Sequence, residues 1–296
     1  MSSPRWSVSS FVPLLAILGS VTALGLGTSW AKHTLFPAVG AQGTTALRVG
    51  FSALLVLALW RPWRWPLSRA DAKAIVLYGA TLGLTNLCFY LALRTLPFGV
   101  AVAIEFAGPL MVAVLSSRRA IDFVWVLLAA SGLALLLPLG GGAGGLDPAG
   151  VAFAVAAAVA WGTYVVFGKR VGHLPTRQAV PLGLAVAALV VLPAGLAHAG
   201  GALLAPPLLL VGLGVAAVSS AIPITLEMVA LKRLPPQGFG IMVSMEPAVA
   251  ALLARLLLHE RLSALQWLAI GLIMAASMGT AITGRQPAKA AQLPPG

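Results

Sequence analysis

Very little in this sequence is made to face water. Charged residues are 9% of the chain, where soluble domains carry about 25%, and only seven of the 296 residues are acidic. That excludes a soluble globular domain, because too few polar side chains are present to cover a core of this size. Cysteine is scarcer still. The single Cys88 rules out an internal disulfide and a cysteine-built metal cluster. The four histidines, His33, His173, His198 and His259, fall at the edges of apolar runs or between them. No His-Glu-x-x-His pattern sets two of them on one helix face around a zinc ion. A Gly-x-Ser-x-Gly elbow for a nucleophile is missing, and an intramembrane enzyme is therefore a distant alternative with no catalytic residue to nominate. The glycine run at 140–145 lacks the Lys-Ser/Thr of a phosphate-binding loop, so no ATP-driven pump is encoded in this chain. Rings of charge or repeated carbonyl-lined loops, the marks of a channel filter, are lacking as well.

What is present in quantity is apolar. Hydrophobic residues make up 59% of the chain and the mean hydropathy is +0.97, which places it among polytopic membrane proteins. The net charge of +12 invites a nucleic-acid reading, since basic patches neutralise phosphates. The charges, however, lie in short loops between apolar runs, where they act as orientation signals; no nucleic acid is expected. Only Arg5 precedes the first apolar run of about 20 residues, a length that reads as a first spanning helix rather than a cleaved leader.

Apolar segments of about 20 residues can be marked off ten times, at 11–32, 41–60, 73–93, 98–116, 121–139, 149–170, 178–198, 206–231, 238–258 and 264–284. Pro37 and Gly40 separate the first two, and the Pro-rich stretch 61–73 separates the second from the third. The glycine-rich link at 140–148 divides the chain into halves, 1–139 and 149–284, with a cytoplasmic tail at 285–296. With the N-terminus in the cytoplasm, fourteen of the nineteen lysines and arginines fall on that side. Lys32, Arg94, Arg255 and Arg261 fall on the other, and Arg48 lies inside the second segment. The bias puts both termini inside. Trp60, Trp63 and Trp65 suit an inner interfacial belt, and Trp30 and Trp267 an outer one. Small residues four apart, Gly79/Gly83 and Ala152/Ala156/Ala160, suit close helix packing.

The chain also repeats itself. One offset of 138 residues carries Leu96-Pro97 onto Leu234-Pro235, Pro109 onto Pro247 and Asp122 onto Glu260. Five spans per half is an odd number, so the second half enters from the opposite face. The expected fold is all-α and polytopic, with ten transmembrane helices as two inverted five-helix repeats, an arrangement tied to alternating access around a midplane site.

An ionisable group in hydrocarbon costs several kcal/mol by most scales and is a functional candidate for that reason. Four stand out: Arg48, Glu105, Glu227 and Glu246. Arg48 and Glu105 lie at similar depth, about seven residues or roughly 10 Å in from the outer side, and could form an ion pair. Glu227 is close enough to Lys232 and Arg233 to snorkel towards them. Pro109, Pro223 and Pro247 are candidate helix breaks, each removing a backbone hydrogen bond. Asn86, Tyr90, Trp161, Tyr164 and Ser244 offer hydrogen-bonding edges to line a cavity between them.

Several stretches match a known family. AKHTLFPAVGAQGTTALR, LPFGVAVAIEFAGPL running on to SSRRAIDFVWV, LLLPLG, TLEMVALKRLP, SMEPAVAA and AASMGT together resemble the EamA type of the drug/metabolite transporter superfamily. Its pattern of a proline followed thirteen residues later by an acidic residue occurs twice, at Pro109/Asp122 and Pro247/Glu260. The resemblance implies secondary active export of small amino acids of the threonine/homoserine kind across the bacterial inner membrane, without cofactor or metal. Protons, a small amino acid and the lipid bilayer are the partners it implies. Export of other small metabolites or drugs on the same fold is the alternative.

Overall fold

The computed structural model describes residues 8–115, 120–136, 146–224, 226 and 242–283, and every regular element among them is helical. In chain order they are α1 (Val8–Thr34), α2 (Phe36–Trp60), α3 (Arg69–Ala92), α4 (Phe98–Leu115), α5 (Ala120–Leu136), α6 (Pro148–Val171), α7 (Thr176–Ala199), α8 (Pro206–Ala216), α9 (Glu246–Leu257) and α10 (Ala264–Thr283). Among the described residues seven helical stretches are long and apolar enough to cross a membrane, α8 counting with its continuation to Ile224; α4, α5 and α9 are shorter. The chain is a multi-span membrane protein.

Local chemistry explains where these helices start and stop. The Ser68 hydroxyl accepts from the Asp71 N–H at 3.1 Å and caps α3, and Asp147 accepts from the Gly150 N–H at 2.8 Å and caps α6, each satisfying a donor the first turn leaves free. Hydrogen bonds from the Thr95 hydroxyl and the Gly150 N–H hold the Asp147 carboxyl below its ordinary range. Arg61, at φ 45°, ends α2 ahead of Pro62. The expected break at Pro37 and Gly40 falls earlier, at Leu35. Pro37 is tolerated in the first turn of α2, where its missing N–H has no partner to lose. Gly40 is a kink with φ 65°, ψ −176°, and a Cβ there would run into the imidazole of His198.

Packing is dense where side chains are smallest. α2 lies along α7, α3 along α6 and α7, α4 along α6 and α9, and α5 along α10. Gly79 and Gly83 do what their spacing suggests: a Cβ on the first would meet the Gly183 carbonyl, and on the second the Ala187 backbone. The alanine stripe is corrected at two of its three positions, Ala160 alone being buried. Ala152 and Ala156 are exposed, and the buried face of α6 runs through Gly150, Ala154, Ala157 and Ala158. Alanines occupy both faces of this helix, so four-residue spacing does not pick the packed one.

Candidate functional site

Between α1, α2, α3, α4, α6 and α9 lies a cavity of about 210 Å³. Each helix reaches it along one face. α1 contributes Val21, Gly25 and Thr28; α3 contributes Leu82, Thr85, Asn86 and Phe89; α4 contributes Phe98, Val102 and Glu105. These are the three- and four-residue steps that keep side chains on one side of a helix. α2 adds Arg48, α6 adds Trp161, and α9 adds Glu246 and Ala250. Five sequence candidates, Arg48, Asn86, Glu105, Trp161 and Glu246, therefore share one cavity.

Arg48 is the best-held of them. Its Nε donates to Ser219 Oγ at 2.9 Å and an Nη donates to Asn86 Oδ1 at 2.5 Å. Hydrogen bonds to a charged group are worth about 1.5–3 kcal/mol each. The guanidinium also lies 5.4 Å from the centroid of the Tyr90 ring, a cation–π distance. Tyr90 is fully buried and packs against Phe36 and Phe89, so it supports the arginine from behind. The expected direct Arg48–Glu105 ion pair is not formed: among the described residues the ion pairs are Lys32–Glu260 and His173–Asp71. Arg48's fork is taken by Asn86 and Ser219, leaving the guanidinium and the Glu105 carboxylate facing one space from different helices.

The prolines act on this same ring of residues. Pro109 does not break α4, which continues to Leu115; it removes the donor that would reach the carbonyl four residues back, and that carbonyl belongs to Glu105. Pro223 likewise cannot serve the carbonyl of Ser219. There α8 passes into a π turn over Ala217–Ala221, with the Ile222 N–H reaching the Ala217 carbonyl, and such turns recur at functional sites. Pro247 sits in the first turn of α9, which starts at Glu246. Within the expected span 238–258, residues 238–241 lie outside the described residues, Met242 and Val243 are helical, and a turn at Ser244–Met245 precedes α9. That sets the Glu246 carboxylate at the favourable, positive end of the helix dipole.

Other candidates lie elsewhere. Tyr164 stacks on Tyr78 at 4.8 Å, with the two hydroxyls 3.0 Å apart, and does not line the cavity. Ser244 pairs with Ser277 of α10 at 2.7 Å. Glu227, with Lys232 and Arg233, lies outside the described residues. The sequence reading missed Ser219, Thr28 and Thr85. For Ser219 a signal existed: two adjacent serines, Ser219-Ser220, stand just ahead of Pro223 in an otherwise apolar run.

Next to the cavity residue Phe98 lies a cluster on Glu260. Its Oε1 accepts from Lys32 Nζ at 2.6 Å and its Oε2 from the Phe98 N–H at 2.7 Å. Lys32 also donates to the Leu96 carbonyl at 3.4 Å.

Comparison with known proteins agrees with this architecture. The EamA-like transporter family profile matches residues 148–282. The threonine/homoserine exporter RhtA of Escherichia coli strain K12 is 44% identical over 283 residues, covering 96% of each chain. The protein of the same name from Salmonella typhimurium strain SL1344 is 44% identical over 276 residues, covering 93% of each. A solved crystal structure, 22% identical, superposes with a TM-score of 0.56 over 90% of this chain and 96% of its own; that likeness bears on the fold alone.

Proposed function

The chain belongs to the EamA-like transporter family, and from that premise we propose that it exports small amino acids of the threonine/homoserine type across the bacterial inner membrane in exchange for protons. The family is one of transporters, not enzymes. The observation that carries the proposal is the cavity in which one guanidinium, Arg48, and two carboxylates, Glu105 and Glu246, face a common space.

A zwitterion suits that set. Its carboxylate pairs with the Nη N–H donors of Arg48 that Asn86 and Ser219 leave open, a charge-assisted contact, and its ammonium pairs with Glu105 or Glu246. Phe89, Phe98 and Trp161 wall the space and limit the side chain. Drug-sized ligands usually occupy pockets of about 300–1,000 Å³, so a cavity of about 210 Å³ favours the small amino acid over the larger cargo that other exporters of this fold would take.

Coupling follows from charge balance. With both carboxylates ionised the three groups sum to one negative charge, and one proton neutralises them. Protonating Glu105 weakens its attraction to the Arg48 side of the cavity, and an arriving substrate carboxylate competes for the same guanidinium. Proton and amino acid thus alternate at one locus, with an inward proton exchanged for an outward substrate. Glu246 is the fallback carrier of the proton.

The fold that supports this cycle is ten transmembrane helices in two inverted repeats, 1–139 and 149–284, joined by the link at 140–148 and followed by a cytoplasmic tail at 285–296. Both termini are cytoplasmic, which makes the end of the cavity beneath Lys32 and Glu260 the outer one. The test is counterflow in proteoliposomes loaded with radiolabelled threonine, competed by homoserine, alanine and an aromatic amino acid. Homoserine is expected to compete and the aromatic amino acid not to. Glu105→Gln, which keeps the shape and removes the titration, is expected to abolish pH-gradient-driven efflux and retain exchange. Full gradient-driven efflux by Glu105→Gln would show that this carboxylate does not carry the proton.

A further inference from the structure

Glu260 ties together three helices that line the cavity, and it does so at one end only. Phe98 opens α4 and lines the cavity with its side chain, while its backbone N–H is held by Glu260. Lys32 lies one turn beyond Thr28 on α1, and Thr28 also lines the cavity. Glu260 follows α9, whose Glu246 and Ala250 line it as well. One carboxylate thus joins α1, α4 and the end of α9, through contacts between residues 228 and 162 positions apart in the chain. The two charged side chains are only 20% and 15% exposed, so water screens the pair less than it would an exposed one.

We propose that Lys32 and Glu260 are working residues of the transport cycle: together they form the lock that closes the outer mouth of the cavity, and it must open for substrate to leave. Three properties of the contact fit a lock better than a fixed brace. It sits next to the cavity lining, on Lys32 one turn beyond Thr28 and on the N–H of Phe98. It is polar, so both partners can be hydrated when the helices part, whereas an apolar seam would expose carbon. Glu260 also holds a helix N-terminus, and breaking the contact frees α4, the element that carries Glu105, at the same moment. The sequence repeats the couple: the 138-residue offset carries Lys32 onto Arg170 and Glu260 onto Asp122, a cation and an anion again. Two halves of opposite orientation would each need such a couple at their own mouth. The inference rests on the proposed orientation and alternating access, and not on which amino acid is carried.

The labelling test needs no substrate, so its failure is distinguishable from failure of the amino-acid reading. On a Cys88→Ala background, Thr28→Cys places a thiol in the cavity beneath the lock. A membrane-impermeant maleimide is applied from the outer face of right-side-out vesicles. Lys32→Met and Glu260→Gln are each expected to raise the labelling rate at least about fivefold, as loss of one ion pair from a two-state equilibrium would, and Lys32→Arg is expected to stay near the parent. Unchanged labelling in both variants, with thermal melting also unchanged, overturns the proposal. An equal rise for reagent applied from either face overturns it too, because that marks general loosening. Should either variant fail to fold, cysteines at positions 32 and 260 can be bridged by a cleavable bifunctional thiol reagent. The bridge is expected to keep Thr28→Cys from the impermeant maleimide until it is cleaved, and equal labelling with and without the bridge overturns the lock.

Discussion

Arg48 is held by side chains from two other helices, Asn86 in α3 and Ser219 in the π turn that follows α8. That geometry fixes the plane of the guanidinium, and a planar fork is what distinguishes arginine from lysine as a carboxylate ligand. Arg48→Lys keeps the charge and loses the fork, so one contact worth about 1.5–3 kcal/mol disappears. The KM for threonine is expected to rise about tenfold or more, with expression and melting near the parent; an unchanged KM would show that the carboxylate binds elsewhere. Charged members of the site were legible in the sequence because a charge in hydrocarbon is costly wherever it occurs. Hydroxyls were not. Thr85 and Ser219 each donate to the carbonyl four residues back, at 2.8 and 2.7 Å, as any serine or threonine in a membrane helix can. A self-satisfied hydroxyl does not announce which face it occupies. Ser244 and Tyr164 bond across to other helices instead, on Ser277 and Tyr78, and an apolar run gives no sign of such a long-range partner.

Helices on this scale pack by what they omit. α3 crosses α7 so closely that a Cβ at Gly79 would strike the Gly183 carbonyl, whereas Ala152 on α6 is exposed. Gly79→Leu is therefore expected to cost about 1–3 kcal/mol, as overpacking does, and to lower the melting temperature in detergent. Ala152→Leu should lie within about 0.5 kcal/mol of the parent. Equal effects would mean that the two stripes are packed alike. Position along the chain was readable from apolar runs and their proline and glycine punctuation, and most helix ends fall within a few residues of the expected ones. Which face of a helix is buried was less readable, because in lipid both faces are apolar and the contrast between a wet and a dry side is lost. The behaviour of the prolines was also only half legible. Pro223 accompanies a π turn, Pro247 begins a helix and Pro109 sits within one, and the residue type alone does not choose between those outcomes.

Across the whole molecule the question is how many helices cross the membrane. Among the described residues seven stretches are long and apolar enough by themselves, and the proposed arrangement adds α4, α5 and α9 to make ten. The two arrangements agree about most loops and differ near the end of the chain. If only the long helices cross, the α9–α10 connection faces the cytoplasm and the C-terminus lies outside; with ten crossings both are reversed. The Lys32–Glu260 contact favours ten, because it sets the end of α9 beside the far end of α1, and a segment at that end has to have crossed. α9 has twelve residues, about 18 Å at 1.5 Å per residue. That is short for a bilayer core of about 30 Å and fitting for a half-helix that starts at the cavity and runs to the outer surface, as in transporters with broken helices. Single cysteines on a Cys88→Ala background decide the matter. Arg261, exposed just beyond Glu260, takes the discriminating probe, and Trp63, 67% exposed in the α2–α3 loop, takes the control. In intact cells an impermeant maleimide is expected to label Arg261→Cys and to spare Trp63→Cys until the membrane is permeabilised. Labelling of neither before permeabilisation would leave seven crossings and remove the inverted repeat. Labelling of Trp63→Cys alone would turn the molecule over in the membrane, and the Lys32–Glu260 mouth would then face the cytoplasm.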